Sequence, residues 1–174
     1  MNKIFEINSM LKKLNKEDME IIYTLEEEST FNNSIYLAGP TYRPDENGNQ
    51  KSGWREEAIN ILKELNFNGV LFVPECRNGK SLKDWSYSRQ VKWEMDKMGN
   101  CNVILFWIPR DMKELPALTT NTEFGEYLYS GKIVIGAPKD SENNRYLEER
   151  CKIEDIKWHN NLKNTIEETL NNLT

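Results

Sequence analysis

The stretch "NVILFWIP", residues 102–109, contains an unbroken run of apolar side chains, 103–108, that ends at a proline. Three shorter runs of the same character occur elsewhere in the chain: "SIYLAG" (34–39), "GVLFVP" (69–74) and "KIVIGAP" (132–138). A strand with one face in water alternates apolar and polar residues, whereas a strand covered on both faces is apolar throughout. The four runs therefore predict parallel strands in a sheet that is buried on both sides.

Segments with helical spacing separate these runs, at about 54–66, 85–98 and 120–130. The tail beyond residue 138 predicts one or two further helices, the last from about Asn160, and a short strand near Ile156. Strands that alternate with helices are typical of parallel sheets. The predicted class is a doubly wound α/β fold, Rossmann-like or flavodoxin-like, with a mostly parallel sheet and helices on both faces.

Residues 1–30 differ in character from the rest of the chain. They are charged, and their apolar side chains recur at helical spacing before the acidic stretch "LEEEST". We interpret residues 1–30 as an N-terminal helical extension and residues 31–174 as one α/β domain. A domain of this length can bury a sizeable core.

Charge and composition exclude several classes of protein. The chain has 23 Lys and Arg against 28 Asp and Glu and no dense basic face, so we do not expect it to bind nucleic acid. Three cysteines without CxxC spacing and a single histidine indicate neither a disulfide framework nor a metal site. No stretch approaches the ~20 apolar residues that span a bilayer, and the N-terminus lacks the apolar segment of a signal peptide. We expect a soluble, cytoplasmic protein that does not bind membranes.

Ligands of doubly wound sheets bind at the carboxyl ends of the strands, where the strand order reverses. Three long loops follow predicted strands at that edge: "GPTYRPDENGNQKSG" (39–53), "PECRNGKSLKDWS" (74–86) and "PRDMKELPALTTN" (109–121). The chain has no GxGxxG turn, no Walker A sequence and no serine triad pattern. The chemistry that remains depends on carboxylates and phenols, and it requires no cofactor.

Glu123 has two interpretations. Thr120 and Glu123 have the spacing of a capping box, in which the two side chains cap the first turn of a helix. Alternatively Glu123 is a nucleophile, because the helix begins at the crevice edge of the sheet and its dipole stabilises an anion there. Gly125 supports the second interpretation, since a missing side chain would let a substrate approach the backbone.

Three stretches, "IYLAGP" (35–40), "VKWEMDKMGNCNVILFWIP" (91–109) and "TEFGEYLYSGKIVIG" (122–136), together resemble the nucleoside 2-deoxyribosyltransferase family and its related nucleotide N-glycosidases. The resemblance covers about residues 35–138. It implies transfer of 2-deoxyribose between nucleobases through a covalent glycosyl-enzyme on Glu123. The alternatives are hydrolysis of a nucleoside 5′-monophosphate on the same carboxylate, and a non-catalytic nucleotide-binding module.

The resemblance also implies a second acid, which holds and protonates the leaving base. Glu94 matches it, with Asp96 as the competitor. In the helix around them, Val91, Met95 and Met98 form the apolar stripe expected to face the sheet, with Glu94 at its edge. Tyr36 matches the tyrosine that orients the nucleophile, although a core aromatic would fit the same position.

The resemblance is least close in the region expected to bind the sugar. Relatives carry an aspartate or a serine six residues before the nucleophile, where this chain has Ala117, so Thr119, Thr120 or Asn121 would have to replace it. The first loop is expected to contribute Gly39, Pro40, Thr41 and a cation, Arg43 or Lys51. Trp54 and Arg55 match a "WR" pair of some relatives, or else are a packing tryptophan and a surface arginine.

Relatives of this family are generally oligomers whose pockets are completed by a neighbouring chain. We therefore expect a homodimer or larger assembly, with an exposed face of Trp85, Arg89 and Trp93 as its contact. The expected ligands are a nucleoside or nucleotide and a free base.

Overall fold

The structure is a computed structural model that describes residues 19–28, 32–42, 53–77 and 86–173. Within these ranges six strands form one sheet in which every neighbouring pair is parallel. In chain order they are β1 (Glu20–Tyr23), β2 (Ser34–Ala38), β3 (Val70–Val73), β4 (Val103–Trp107), β5 (Ile133–Gly136) and β6 (Trp158–His159). Every residue of β2, β3, β4 and β5 is buried, which confirms the interpretation of the unbroken apolar runs.

The order of the strands across the sheet is β1-β3-β2-β4-β5-β6. The chain passes from β2 to β3 on one side, then crosses to β4 on the other side of β2. The strand order therefore reverses between β2 and β4, and the carboxyl ends of these two strands flank the crevice where ligands bind in such sheets.

Five helices of the described residues cover both faces of the sheet. They are α1 (Trp54–Glu64), α2 (Tyr87–Asn100), α3 (Leu118–Tyr127), α4 (Arg145–Ile153) and α5 (Leu162–Asn171). Helices α2, α3 and α4 share a core with Tyr36, Phe72 and Phe106, whereas α1 and α5 pack on the opposite face. Neighbouring residues of one strand enter different cores because side chains alternate between faces. The prediction of a doubly wound α/β fold is confirmed.

Strand β1 is absent from the sequence-based prediction. The expectation of a helical extension over residues 1–30 is wrong for Glu20–Tyr23, which pair with Val70–Val73 at the edge of the sheet. Only Ile22 of this strand is buried, and acidic residues surround it, so it lacks the apolar run that marks the central strands. Residues 1–18 lie outside the described residues.

The segment after β1 is tied to the elements beside it. The Arg77 guanidinium donates to both carboxylate oxygens of Glu26, at 2.6 and 2.7 Å. Lys97 of α2 donates to Glu28, and the indole N–H of Trp93 donates to the Glu26 carbonyl. These contacts hold the segment against α2 and the loop after β3.

The predicted orientation of α2 needs correction. Met98 is buried as expected, but Met95 is half exposed. Trp93 lies in the core instead, with its ring 6.4 Å from that of Tyr36 and 6.3 Å from that of Phe72. An indole buries more apolar surface than a methionine, so the helix turns its tryptophan inward. Trp93 therefore cannot belong to the exposed contact face that was predicted, and Trp85 lies outside the described residues.

Candidate active site

A cleft of about 570 Å³ opens at the carboxyl ends of the strands, where the strand order reverses. Its walls come from the end of β1, the loops after β2 and β3, the first half of α2, and the start of α3 with the loop before it. Tyr36, Glu94 and Glu123 all line it, so the structure brings together the three residues predicted to be catalytic.

Glu123 projects into the cleft from the second turn of α3. Its side chain is half-buried. Burial, and then the negative charge of Glu94, raise the pKa of Glu123 to about 7, while the positive charge of Arg55 opposes the rise. Near neutral pH this carboxyl group is partly protonated, whereas an exposed glutamate would be fully ionised.

The capping-box interpretation of Glu123 is wrong. Helix α3 begins at Leu118, so Thr120 is already inside it, and the cap position is Ala117, which makes no side-chain cap hydrogen bond. The expectation that the helix dipole keeps Glu123 ionised is also wrong. The field at a helix N-terminus falls off within the first turn, and the effect of burial on a carboxylate in the second turn is larger.

Glu94 reaches the cleft from α2. Its carboxylate accepts a hydrogen bond of 2.8 Å from the side-chain amide of Gln90, one helical turn earlier. Burial raises the pKa of Glu94, and the Gln90 hydrogen bond and the charge of Arg55 limit the rise. Glu94 and Glu123 are thus two half-buried carboxyl groups, and they lie close enough for the negative charge of Glu94 to raise the pKa of Glu123.

Tyr36 is buried at the bottom of the cleft, with 1% of its surface exposed. Burial, followed by the charges of Glu94 and Glu123, raises the pKa of its phenol well above the usual value. The expected hydrogen bond from Tyr36 to Glu123 is not among those formed by the described residues. The phenol nevertheless stays protonated and provides a donor close to both carboxyl groups.

These groups are suited to acid and nucleophile chemistry. Two interacting carboxyl groups titrate as a pair, and raised pKa values favour the state in which one of the two carries a proton. One member can then act as an ionised nucleophile while the other acts as an acid. Retaining glycosyl transfer requires this division of roles.

Arg55 organises the loop after β2. It is buried, and its guanidinium donates to the carbonyls of Leu37 and Gly39 and, at 2.8 Å each, to the Thr41 hydroxyl and the Glu75 carboxylate. The interpretation of Arg55 as a surface residue is therefore wrong. Its donors are committed to the protein, so it acts on the site by shaping the loop and through its charge.

Gly39 and Trp54 shape the same loop. Gly39 has φ +151°, and a Cβ atom there would lie 2.2 Å from the carbonyl oxygen of Trp107, so the position requires glycine. The Trp54 indole N–H donates to the Pro40 carbonyl at 3.1 Å. Gly39, Pro40 and Thr41 line the cleft, whereas Trp54 supports the loop from outside it.

The start of α3 forms the opposite wall. Thr119 and Thr120 line the cleft beside Ala117, in agreement with their expected position. Ala117 has φ 54° and ψ 38°, the left-handed conformation. That conformation costs a non-glycine residue roughly 1–2 kcal/mol, and such strain is concentrated at functional sites.

The structure places three other expected site residues outside the cleft. Asp96 is exposed and pairs with Lys97 at 3.1 Å, so Glu94 is the acid of α2 that faces the site. Asn121 accepts a hydrogen bond from the Arg110 guanidinium. Gly125 is exposed, and a Cβ atom there would meet nothing within 4 Å. Arg43 and Lys51 lie outside the described residues.

The cleft residues that were not identified from the sequence include Glu75, Gln90 and Thr24. Glu75 lies two residues after β3, and Gln90 precedes Glu94 by one helical turn, so the sequence offered a reason to consider both positions. The sequence offered no reason to consider Thr24, because it follows a strand that had been assigned to a helical extension.

Two features are absent from the described residues. No group of three or more histidine, cysteine, aspartate or glutamate side chains is arranged to hold a metal ion. Within the same residues, no helix has the length and apolar character needed to cross a membrane.

Comparison with known proteins adds one match. Residues 32–141 match the family model described as "Nucleoside 2-deoxyribosyltransferase like". The matched segment includes strands β2 to β5, helices α1 to α3, and the residues Tyr36, Glu94 and Glu123, but not β1. No curated protein matches the chain.

Proposed function

Because the chain belongs to the nucleoside 2-deoxyribosyltransferase-like family, we propose that it transfers 2-deoxyribose from one nucleobase to another. The Glu123 carboxylate attacks C1′ of a nucleoside, the bond from C1′ to the base nitrogen breaks, and Glu94 gives its proton to the departing base. A second base then attacks C1′ of the glycosyl-enzyme, returns a proton to Glu94 and releases Glu123.

The observation that carries this proposal is the convergence of Glu123, Glu94 and Tyr36 in one cleft at the strand-order reversal. A protein that only binds nucleotides gains little from two buried carboxyl groups, because burying them costs free energy and neither attracts an electron-rich base. Catalysis gives both a role, and the Tyr36 phenol can stabilise the ionised Glu123 as the base leaves.

The charge of the described part of the cleft lining favours a nucleoside over a nucleotide. Its described lining contains the acids Glu75, Glu94, Glu114 and Glu123. Arg55 is the one cation of that lining, and its guanidinium already donates to β2, to the loop after β2 and to Glu75. A cleft lined by one sign of charge attracts the opposite sign, so this lining favours a substrate without a phosphate.

Hydrolysis of a nucleoside 5′-monophosphate is the second candidate, and the start of α3 is the feature that favours it. Thr119 and Thr120 place two hydroxyl groups at a helix N-terminus that lines the cleft. Helix N-termini bind phosphate groups through free backbone N–H donors. In this reaction water would take the place of the second base.

The test is to incubate the protein with 2′-deoxynucleosides and with their 5′-monophosphates, with and without a second free base, and to separate the products by chromatography. We expect a new nucleoside that forms only when the second base is present. Release of base from monophosphates without exchange would favour the hydrolase. Absence of turnover on the whole panel would contradict both reactions.

The covalent step has its own test. A nucleoside with fluorine at C2′ should slow the release of the sugar and leave one fluorosugar mass on the peptide that contains Glu123, as seen by mass spectrometry. Glu123→Gln is the matched control and should remain unlabelled. A label on another peptide, or no label on an enzyme that turns over, would contradict a nucleophilic Glu123.

A further inference from the structure

Strand β1 brings a buried hydroxyl group to the cleft. Thr24 follows β1 directly, and its backbone N–H donates to the Glu75 carbonyl at 3.0 Å, which continues the pairing of β1 with β3. The residue lines the cleft and is 1% exposed, and its hydroxyl oxygen has no hydrogen-bond partner among the described residues. Buried hydroxyl groups nearly always have a partner, so this hydroxyl is available to pair with a ligand in the cleft.

The Thr24 side chain lies on the same face of the sheet as the catalytic residues. Side chains alternate along a strand. Ile22 packs in the core that contains Tyr36, whereas Tyr23 packs on the opposite face. Thr24 therefore points toward the face that contains Tyr36, α2 and α3.

The order of the strands arranges the cleft residues in a row. Glu123 is on α3, whose Phe124 packs on Phe106 of β4. Glu94 is on α2, whose Trp93 packs on β2 and β3. Strand β1 lies on the far side of β3 from β2. Across the sheet the order is therefore Glu123, then Glu94, then Thr24. With strands about 4.8 Å apart, β1 lies roughly 10 Å from β2.

On the basis of the proposed function, we propose that Thr24 selects the nucleobase by a hydrogen bond to a polar substituent on the edge remote from the glycosidic bond. With C1′ held at Glu123 and the leaving nitrogen at Glu94, the ring of the base extends toward β1. A threonine hydroxyl donates and accepts, so it can pair with either an amino group or a carbonyl group. A base without such a substituent leaves it unpaired.

This contact belongs to a part of the chain that the family match does not include. The match begins at residue 32, and Thr24 and β1 precede it. The segment is held in place by the Glu26 carboxylate on Arg77 and by Lys97 on Glu28. Thr24 is thus a fixed part of the cleft wall that is additional to the matched segment.

The test compares matched pairs of free bases: adenine with unsubstituted purine, and cytosine with 2-hydroxypyrimidine, which lacks the 4-amino group. Dissociation constants are measured by calorimetry for the wild-type protein, for Thr24→Val, which keeps the shape but removes the hydroxyl, and for Thr24→Ser, which keeps the hydroxyl. We expect the wild type to bind the substituted base more tightly than its unsubstituted partner. The ratio of the two dissociation constants should be about tenfold smaller in Thr24→Val and unchanged in Thr24→Ser.

Two outcomes would overturn the inference: an equal preference in the wild type and in Thr24→Val, or a wild type that binds neither member of either pair. Because free bases bind without turnover, a failure of the proposed reaction would appear separately, as intact selective binding with no exchange. The melting temperature of Thr24→Val should equal or exceed that of the wild type, because removing an unpaired buried hydroxyl costs no hydrogen bond.

Discussion

At the scale of single residues, Glu123 and Glu94 need opposite protonation states for the proposed reaction. The nucleophile must be ionised and the acid must carry a proton. Burial makes ionisation of both groups costly, and the negative charge of Glu94 raises the pKa of Glu123 further. Glu123 is therefore partly protonated near neutral pH in the free site, and the proposed reaction requires this proton to pass to Glu94 when the substrate binds.

Glu123→Gln should abolish turnover and stabilise the protein at high pH. Burial raises the pKa of Glu123 from 4.5 to about 7, so the folded wild type holds more protons than the unfolded chain between these values. The stability of the wild type therefore falls as the pH rises through this window and remains lower above it. Glutamine avoids this cost, which corresponds to about 1–3 kcal/mol.

The measurement is thermal unfolding of both proteins at about pH 4 and about pH 8, the two sides of the titration. The variant should melt higher than the wild type at the upper pH, and the difference should vanish at the lower one. Activity that survives in the variant would contradict the nucleophile. An advantage in melting temperature that does not depend on pH would contradict the raised pKa.

Glu94→Gln and Asp96→Asn form a matched pair on one helix. Loss of the acid at Glu94 should lower kcat by about 10²–10⁴, the usual contribution of general acid catalysis, with KM little changed. Nucleosides with more acidic leaving bases should lose less. Asp96→Asn removes an ion pair between Lys97 and the exposed Asp96 carboxylate, worth about 0–1 kcal/mol, and no group that faces the cleft. A larger loss of kcat in Asp96→Asn would contradict the orientation of α2.

At the scale of elements, α3 combines two unusual positions. It begins after Ala117 in the left-handed conformation, and it contains Gly125, the residue that was expected to admit substrate. The strain at Ala117 lies in the cleft, whereas Gly125 faces solvent. The two ends of this short helix therefore differ in what they contribute to the site.

Gly125→Ala should stabilise the protein by about 1 kcal/mol, the difference between the two residues inside a helix. A Cβ atom at this position meets nothing within 4 Å, so no clash offsets the gain. Denaturant unfolding measures the change, and the exchange assay serves as the control. Lower activity in Gly125→Ala would mean that a ligand or a second chain approaches the backbone there.

At the scale of the whole molecule, the expected homodimer or larger assembly stays a prediction. Trp93, which was predicted to form part of the contact between subunits, lies in the core. The exposed apolar side chains at the mouth of the cleft, Tyr87 and Leu118, now provide the better candidate surface, at 73% and 68% exposure. We expect light scattering to give at least twice the chain mass of 20.5 kDa and activity per chain to fall on dilution. A fully active protein at the chain mass would contradict assembly.

The amino-acid sequence by itself determined the central strands and the class of fold. The strands β2 to β5 are buried on both faces, so each must be apolar throughout, and this pattern is visible without coordinates. It also placed the helix that carries Glu123 at the crevice edge of the sheet, because that edge follows from the direction of parallel strands. Glu94 and Tyr36 were assigned only from the resemblance to the family.

Only the tertiary structure decided which side chains of a helix face the core, where the edge strand lies and how a buried carboxyl group ionises. Trp93 took the core position expected for Met95, because α2 turned its larger apolar side chain toward Tyr36 and Phe72. Strand β1 could also be found only from the tertiary structure, because an edge strand is held by backbone hydrogen bonds that any residue except proline can make. The Thr24 hydroxyl, which has no partner among the described residues, became visible with that strand. The ionisation of Glu123 was decided in the same way, because burial and a neighbouring carboxylate are properties of the folded chain.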